Sequence, residues 1–290
     1  MSGARRTVGV VSLGAMGSAM AHALSAGGAR VVGTLSGRSE RTAGLAGRSG
    51  AELLPDLEAV VREAEVVLSI VPPESATAVG GDIATAAEAA ATRPLLADLN
   101  AIAPATALRI DSALAADGLE LVDGSISGPP PWKPGATRVY LSGPRADEVA
   151  ALPFEGVEKI VVDSTVGAAS AVKMSTASVY KGSTAVLAQA LLSAERNGVL
   201  DHVLADLREG APELVARIER RLAMAASKSG RYVGEMREIA AAQRAAGLTP
   251  SLFEAMAQVY SDLAASSLAA AAPEEIASDL DLRDVLDEMR

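Results

Sequence analysis

The chain contains no cysteine, which excludes disulfides, thiolate catalysis, Fe–S clusters and cysteine-ligated zinc. Its two histidines, His22 and His202, stand far apart and leave little for a histidine metal site. His22 reads as structural and His202 as an exposed residue at a helix start. Aromatic residues make up only 2%, so the core must be aliphatic. No apolar run approaches the roughly 18–20 residues of a membrane span. Residues 1–6 lead straight into a strand-like run without signal-peptide architecture. A cytoplasmic protein without membrane association is expected. Basic charge is also scarce: 26 Lys and Arg against 36 Asp and Glu give −10, with pI ≈ 4.8. That argues against nucleic acid or an anionic membrane as a general partner. Any phosphate the protein holds must be gripped by a local site.

What the chain has instead is alanine, about a fifth of its 290 residues and far above ordinary usage. A chain of this length buries a sizeable core and favours two domains. The first half alternates short apolar runs with helical patterns. Strands are predicted at residues 7–11, 30–35, 65–71, 94–99 and 119–126, and further strands at 139–142 and 157–162. Helices are predicted at 15–26, 75–91 and 104–116. Strands alternating with helices indicate a parallel, doubly wound sheet. After Asp163 the strand signals vanish. Residues 165–196 lack proline and stop at Asn197-Gly198, a good helix end. The expected organisation is an α/β domain over residues 1–163 and an all-helical domain over 164–290, joined by a long helix. Residues 273–290 are acidic and amphipathic and read as a terminal helix.

The first strand runs into Ser12-Leu13-Gly14-Ala15-Met16-Gly17. In a dinucleotide-binding fold such a turn lets a pyrophosphate approach backbone N–H groups at a helix N-terminus. Gly14 and Gly17 occupy the second and third glycine positions of G-x-G-x-x-G, and Ser12 replaces the first. By itself the match is weak, since an ordinary strand-to-helix turn would also use these glycines. The strand before it and the helix after it strengthen the reading. The second strand ends at Thr34-Leu35-Ser36 without the carboxylate that an NAD site directs at the ribose 2′-OH. Ser36, Arg38 and Ser39 instead offer hydroxyls and a cation for a 2′-phosphate. The expected cofactor is therefore NADPH/NADP+ rather than NAD, with Glu40 nearby as the dissenting charge.

Four segments, in order, resemble the β-hydroxyacid dehydrogenase and 6-phosphogluconate dehydrogenase-like superfamily, which also contains imine reductases. Residues 9–21, with Met16 and Met20-Ala21, are similar to its opening turn. Asp98-Leu-Asn-Ala-Ile-Ala-Pro104 resembles its nicotinamide-side loop, Asp123-Gly-Ser-Ile-Ser-Gly128 its substrate-binding segment, and Gly167-Ala-Ala-Ser-Ala-Val-Lys173 the head of its interdomain helix. The resemblance implies a Rossmann-type sheet followed by an all-α domain. It assigns cofactor contacts to Leu13, Gly14, Ala15, Met16, Val71, Pro72 and Asn100, a substrate carboxylate to Ser127 and Gly128, and catalysis to Lys173. The chain departs from the family at several points. Pro129-Pro-Pro-Trp-Lys-Pro134 stands where a second glycine and a small-residue loop are usual. Ala177 stands where many members carry an asparagine. Ile126-Ser-Gly-Pro-Pro-Pro, Val172-Lys-Met and Tyr180-Lys-Gly resemble a branch with its own phosphogluconate-dehydrogenase-like C-terminal domain.

Chemically, a lysine partly desolvated beside the cleft at the sheet's C-terminal edge has its pKa lowered and can act as general acid/base. Without the resemblance, Lys173 would read as a lysine snorkelling from a helix surface. Ser127-Gly128 can offer a hydroxyl and backbone N–H groups to a carboxylate, sulfonate or phosphate, or be a plain turn. Pro129 and Trp132 are expected to stiffen and line a substrate pocket, with Lys133 available to an anion. Tyr180 lies within about 20° of Lys173 around a helix, and Tyr180 or Thr176 could supply the polar partner that Ala177 lacks; an aromatic at that spacing also suits a core. Lys181 is expected to face solvent or a partner chain. Family dimers complete each site from the partner's helical domain, which makes residues 231–235 a candidate donor, or simply a surface helix.

The leading expectation is an NADPH-dependent reductase, or dehydrogenase in reverse, acting on a small carbonyl or β-hydroxy acid as a homodimer through the helical domain. An imine reductase is the alternative, against which Lys173 argues because that group commonly has aspartate or tyrosine there. An NADPH-binding sensor or scaffold without turnover is the alternative of another class.

Overall fold

The computed structural model describes residues 6–273, 275–277 and 279–289. They form two compact units, residues 1–174 and 175–290, and the division falls inside a long helix rather than at its start.

The first unit opens with β1 (Thr7–Val11), α1 (Ala15–Ala26), β2 (Arg30–Thr34), α2 (Glu40–Ala46), β3 (Glu52–Leu54), α3 (Leu57–Glu63) and β4 (Val66–Ser69). A 3-10 turn at Pro73–Ser75 leads into α4 (Ala76–Ala89). Then follow β5 (Leu95–Asp98), α5 (Pro104–Ala116), β6 (Leu121–Ser127), β7 (Thr137–Ser142), α6 (Ala146–Ala150) and β8 (Val157–Asp163). The eight strands lie in the order β3-β2-β1-β4-β5-β6-β7-β8. β1 to β6 pair in parallel, β7 runs antiparallel to β6, and β8 is parallel to β7.

The two faces of this sheet carry separate cores. One buries Met20 and Leu24 of α1, Ala46 of α2 and Val149 of α6 against Val8, Leu68, Val122 and Leu141. The other buries Val61 of α3, Ile83 of α4 and Ile110 and Leu114 of α5 against Val11, Val67, Leu96 and Leu121. β4 and β5 are buried along their whole length, as central strands covered on both faces must be. This is the Rossmann-type α/β fold that the strand-helix alternation predicts. Two details differ. β3 was not anticipated, because it is a three-residue edge strand with no buried alternation. β7 reverses because residues 128–136 are too short for the dozen or so residues of a parallel crossover.

The long helix, α7 (Ala168–Arg196), carries the chain from one unit into the other and ends where Gly198 adopts φ +71°. The second unit continues with α8 (Leu200–Gly210), α9 (Pro212–Val215), α10 (Ile218–Ala226), α11 (Ser229–Ala245), α12 (Ser251–Ala264), a 3-10 turn at Ser267–Ala270 and α13 (Leu282–Glu288). Its core is aliphatic and small: Leu187, Ala188, Leu191, Leu222, Ala226, Met236 and Ile239. Gly182 of α7 lets Met256 of α12 approach within 3.4 Å of where a Cβ would stand. Among the larger side chains here, Tyr260 is fully buried, its hydroxyl donating to the Lys181 carbonyl at 2.8 Å. No helix among the described residues is long and apolar enough to cross a membrane.

Candidate active site

The turn after β1 is built for close approach. Ser12, in the first fingerprint position, adopts φ +75°, the left-handed region that glycine occupies without steric cost. A Cβ on Gly17 would stand 1.9 Å from the Ser12 carbonyl oxygen, so no side chain fits there. Ser18, which sequence reasoning missed, locks the turn from below: its hydroxyl donates to the Leu13 carbonyl at 2.5 Å. Leu13 is fully buried, Met16 half-buried and Ala15 exposed. Gly14 is the N-cap of α1, with no side chain capping the first turn. The orphan N–H groups there are what a pyrophosphate needs. The residues present fit a dinucleotide.

At the end of β2, Ser36, Arg38 and Ser39 are all exposed. Gly37 turns at φ +70°, and the Arg38 N–H donates to the Leu35 carbonyl. The Ser39 hydroxyl accepts from the Thr42 N–H and caps α2. No carboxylate pairs with the Arg38 guanidinium among the described residues.

The next two strand ends are tied together. Asn100 is buried, and its side chain is fully engaged within the protein. Its Oδ1 accepts from the Val71 N–H at 2.6 Å, and its Nδ2 donates to Ser69 Oγ at 3.0 Å and to Asp98 Oδ2 at 2.8 Å. The structure thus makes Asn100 a brace beneath Val71 and Pro72 rather than a side chain reaching outward. Asp98 Oδ1 also accepts from the Asn100 N–H at 3.0 Å. Burial pushes the Asp98 carboxyl up to about 7; the hydrogen bonds from Asn100 oppose the shift and the Asp123 charge adds to it.

Asp123, fully buried on β6, organises the head of α7. Its Oδ2 accepts from Ser142 Oγ at 2.8 Å and from the N–H groups of Gly167 and Ser170 at 3.0 Å, and its Oδ1 accepts from Ser170 Oγ at 2.5 Å. Ser125 Oγ donates to the Ala169 carbonyl at 3.0 Å. These contacts fix Lys173 about one and a half turns in from the helix start. Its Nζ donates to the Ile126 carbonyl at 2.6 Å, one residue before Ser127. Ser127 is half-buried, and its hydroxyl makes no hydrogen bond among the described residues. Gly128 has φ +114°, and a Cβ there would meet the Ala136 carbonyl oxygen at 2.3 Å. The structure thus brings Lys173, Ser127 and Gly128 together.

The Pro-rich loop follows directly on Gly128. Pro129 is exposed, its carbonyl accepting from Thr137 Oγ1 at 2.6 Å. Trp132 packs on His22 of α1, with ring centroids 5.4 Å apart, and Arg48 lies 4.7 Å over its ring. Its ring contacts are with the flank of α1, a surface its sequence position did not reveal. In the second unit, Thr176 is half-buried and Ala177 buried, while Tyr180 is 69% exposed. Lys181 does not face solvent as expected: its ammonium pairs with the buried carboxylate of Glu235 and lies 4.4 Å over the Tyr232 ring. Glu235 also pairs with Arg231. A buried carboxylate must be matched in this way, and Glu235 is matched by Lys181 on its buried side and by the half-exposed Arg231.

The sequence profile of the NAD binding domain of 6-phosphogluconate dehydrogenase matches residues 7–153, about half of the chain. The chain belongs to this family. A second profile, a domain of unknown function designated DUF1932, matches residues 194–263 in the helical part. An uncharacterized 28.5 kDa protein of Methanothermus fervidus, encoded in the 7S RNA 5′ region, is 29% identical over 173 residues. That match covers 60% of this chain and 65% of the relative, just under two thirds of its length. A conserved protein whose solved structure is described as similar to 3-hydroxyacid dehydrogenases is 27% identical. Its TM-score is 0.66, over 89% of this chain and 96% of that one. The 3-hydroxyisobutyrate dehydrogenase of Mycobacterium tuberculosis, solved with L-serine, is 22% identical with a TM-score of 0.69 over 99% of each chain, and shares the fold. The glycine turn described above lies within the residues that match this NAD binding domain.

Proposed function

We propose that the protein is an NADPH-dependent oxidoreductase moving a hydride to or from a small carbonyl or β-hydroxy acid substrate. The observation that carries this reading is the Lys173 Nζ contact with the Ile126 carbonyl, which sets a proton donor beside Ser127-Gly128. A bound nicotinamide supplies or accepts the hydride. The chain's own residues do the rest. The free hydroxyl of Ser127 and the backbone at Gly128 hold an anionic group of the substrate. Lys173 gives a proton to the substrate oxygen in reduction and takes it back in oxidation, the work of a positioned general acid/base. Arg38, with Ser36 and Ser39, receives the 2′-phosphate, which supports NADPH over NADH.

The test is an NADPH-oxidation screen over small aldehydes, keto acids, semialdehydes and cyclic imines. Turnover of carbonyls is expected. Turnover of imines alone would make the protein an imine reductase, and tight NADPH binding with no turnover would make it a sensor. Lys173→Ala should lower turnover by about 10²–10⁴-fold and leave NADPH affinity, read by fluorescence titration, nearly intact. Retained turnover in that variant would remove Lys173 as the acid/base.

A further inference from the structure

β5 and β6 place two fully buried aspartates side by side: Asp98 and Asp123 are partners in the parallel register of these strands. Each holds a different part of the candidate site. Asp98, through Asn100, holds the turn at Val71 and Pro72 that follows β4. Asp123 holds the head of α7, which carries Lys173. We propose that Asp98 and Asp123 act as one buried carboxyl pair that positions the cofactor-facing turn and the lysine-bearing helix together, and that the charge on Asp98 sets the grip on the cofactor. The proposal rests on the reading of this edge as a nicotinamide dinucleotide site.

The two carboxyls are not equivalent. Asp123 receives four hydrogen bonds, two from backbone N–H groups and two from serine hydroxyls. Asp98 receives two, both from Asn100. Asp98 sits out of water at the strand position next to Asp123, and burial pushes its carboxyl up. Of the groups around Asp98, β4 presents the neutral Ser69 and the turn after β5 the neutral Asn100. β6 presents Asp123, whose charge pushes the Asp98 carboxyl further up. Lys173, on the helix that Asp123 holds, directs its ammonium at Ile126.

The consequence is a pH-dependent grip. Asp98 keeps its proton up to about 7 in the folded chain and loses it near 4 when unfolded. The folded state therefore binds more protons between those values, and stability falls as pH rises from about 4 to about 7. Above that window Asp98 holds a buried charge. The Val71-Pro72 turn, anchored to it through Asn100, must then shift to hydrate it, and affinity for the cofactor drops.

The experiment is a titration of NADH binding by fluorescence between pH 6 and 8.5; NADH is used because it lacks the 2′-phosphate, which itself titrates near 6. Wild-type affinity should weaken at least about threefold across this range, with an inflection near neutral pH. Asp98→Asn, which keeps the shape and removes the charge, should give a flat profile and flatten the fall in urea stability between pH 4 and 7. An Asp98→Asn profile with the wild-type inflection, or a flat wild-type profile, overturns the proposal. Infrared spectroscopy of the wild-type apoprotein, which needs no variant, should show a protonated buried carboxyl at pH 6 that disappears by pH 8.5; its absence at pH 6 also overturns the proposal. Failure of the wild type to bind NADH or NADPH at any pH would instead bring down the dinucleotide reading and this proposal with it, an outcome distinct from a pH-independent grip.

Discussion

Ser12 shows how a departure from a motif becomes a structural statement. The fingerprint glycine is missing from the sequence, yet the backbone keeps the glycine conformation, φ +75°. A serine held there stores strain, so Ser12→Gly should raise folding stability by up to about 1 kcal/mol in urea denaturation. A loss of stability would mean that contacts of the serine outweigh the strain. Arg38 makes the complementary case, where sequence and structure agree on an exposed cation without a carboxylate partner. A charge-assisted contact with a 2′-phosphate contributes about 1.5–3 kcal/mol, so Arg38→Ala should weaken NADPH by roughly 10- to 100-fold with little effect on NADH. Equal losses for both cofactors would remove the 2′-phosphate assignment. Asp98 and Asp123 were visible in the sequence only as the first residues of two motif segments. That they face each other depends on strand register, which no local pattern reports.

Elements with a strong period were legible and short ones were not. α1 and α5 have the limits that their apolar spacing indicates, and α5 starts at Pro104, where proline fits the first helical turn. α3 escaped although its signal was present: Asp56 caps it by accepting from the Ala59 N–H at 2.8 Å, a recognisable start. α2 and α6, at seven and five residues, are too short for periodicity to show. The head of α7 is the element on which the site depends most. It has no acidic residue in its first turn, because the carboxylate that caps it comes from β6, across the fold. Ser170→Ala would leave Asp123 Oδ1 without its hydroxyl donor. Such a deficit on a buried charged group costs about 1–3 kcal/mol, to be read in urea denaturation, and turnover should fall with the displacement of Lys173. A neutral result would show that backbone N–H groups alone hold the helix.

For the whole molecule, the alanine surplus and the acidic balance act together. Small side chains dominate the helical unit, where α7 leaves Val179 66% exposed and Val186 56% exposed. These two residues lie seven positions apart, on one face of the helix. Tyr180 beside them is also open. Apolar side chains aligned in this way on a long helix suit a second helix of the same kind, and we propose that two copies pair through this stripe. Each chain carries −10, so two copies repel one another, and salt screens that repulsion over about 10 Å at 0.1 M. Sedimentation should therefore show a dimer that tightens as salt is raised from low ionic strength. Val186→Glu, a surface change that leaves the fold intact, should yield a folded monomer by adding like charge to the stripe. A wild-type protein that sediments as a monomer at high salt while turning over substrate would show that the stripe serves another purpose and that each chain completes its own site.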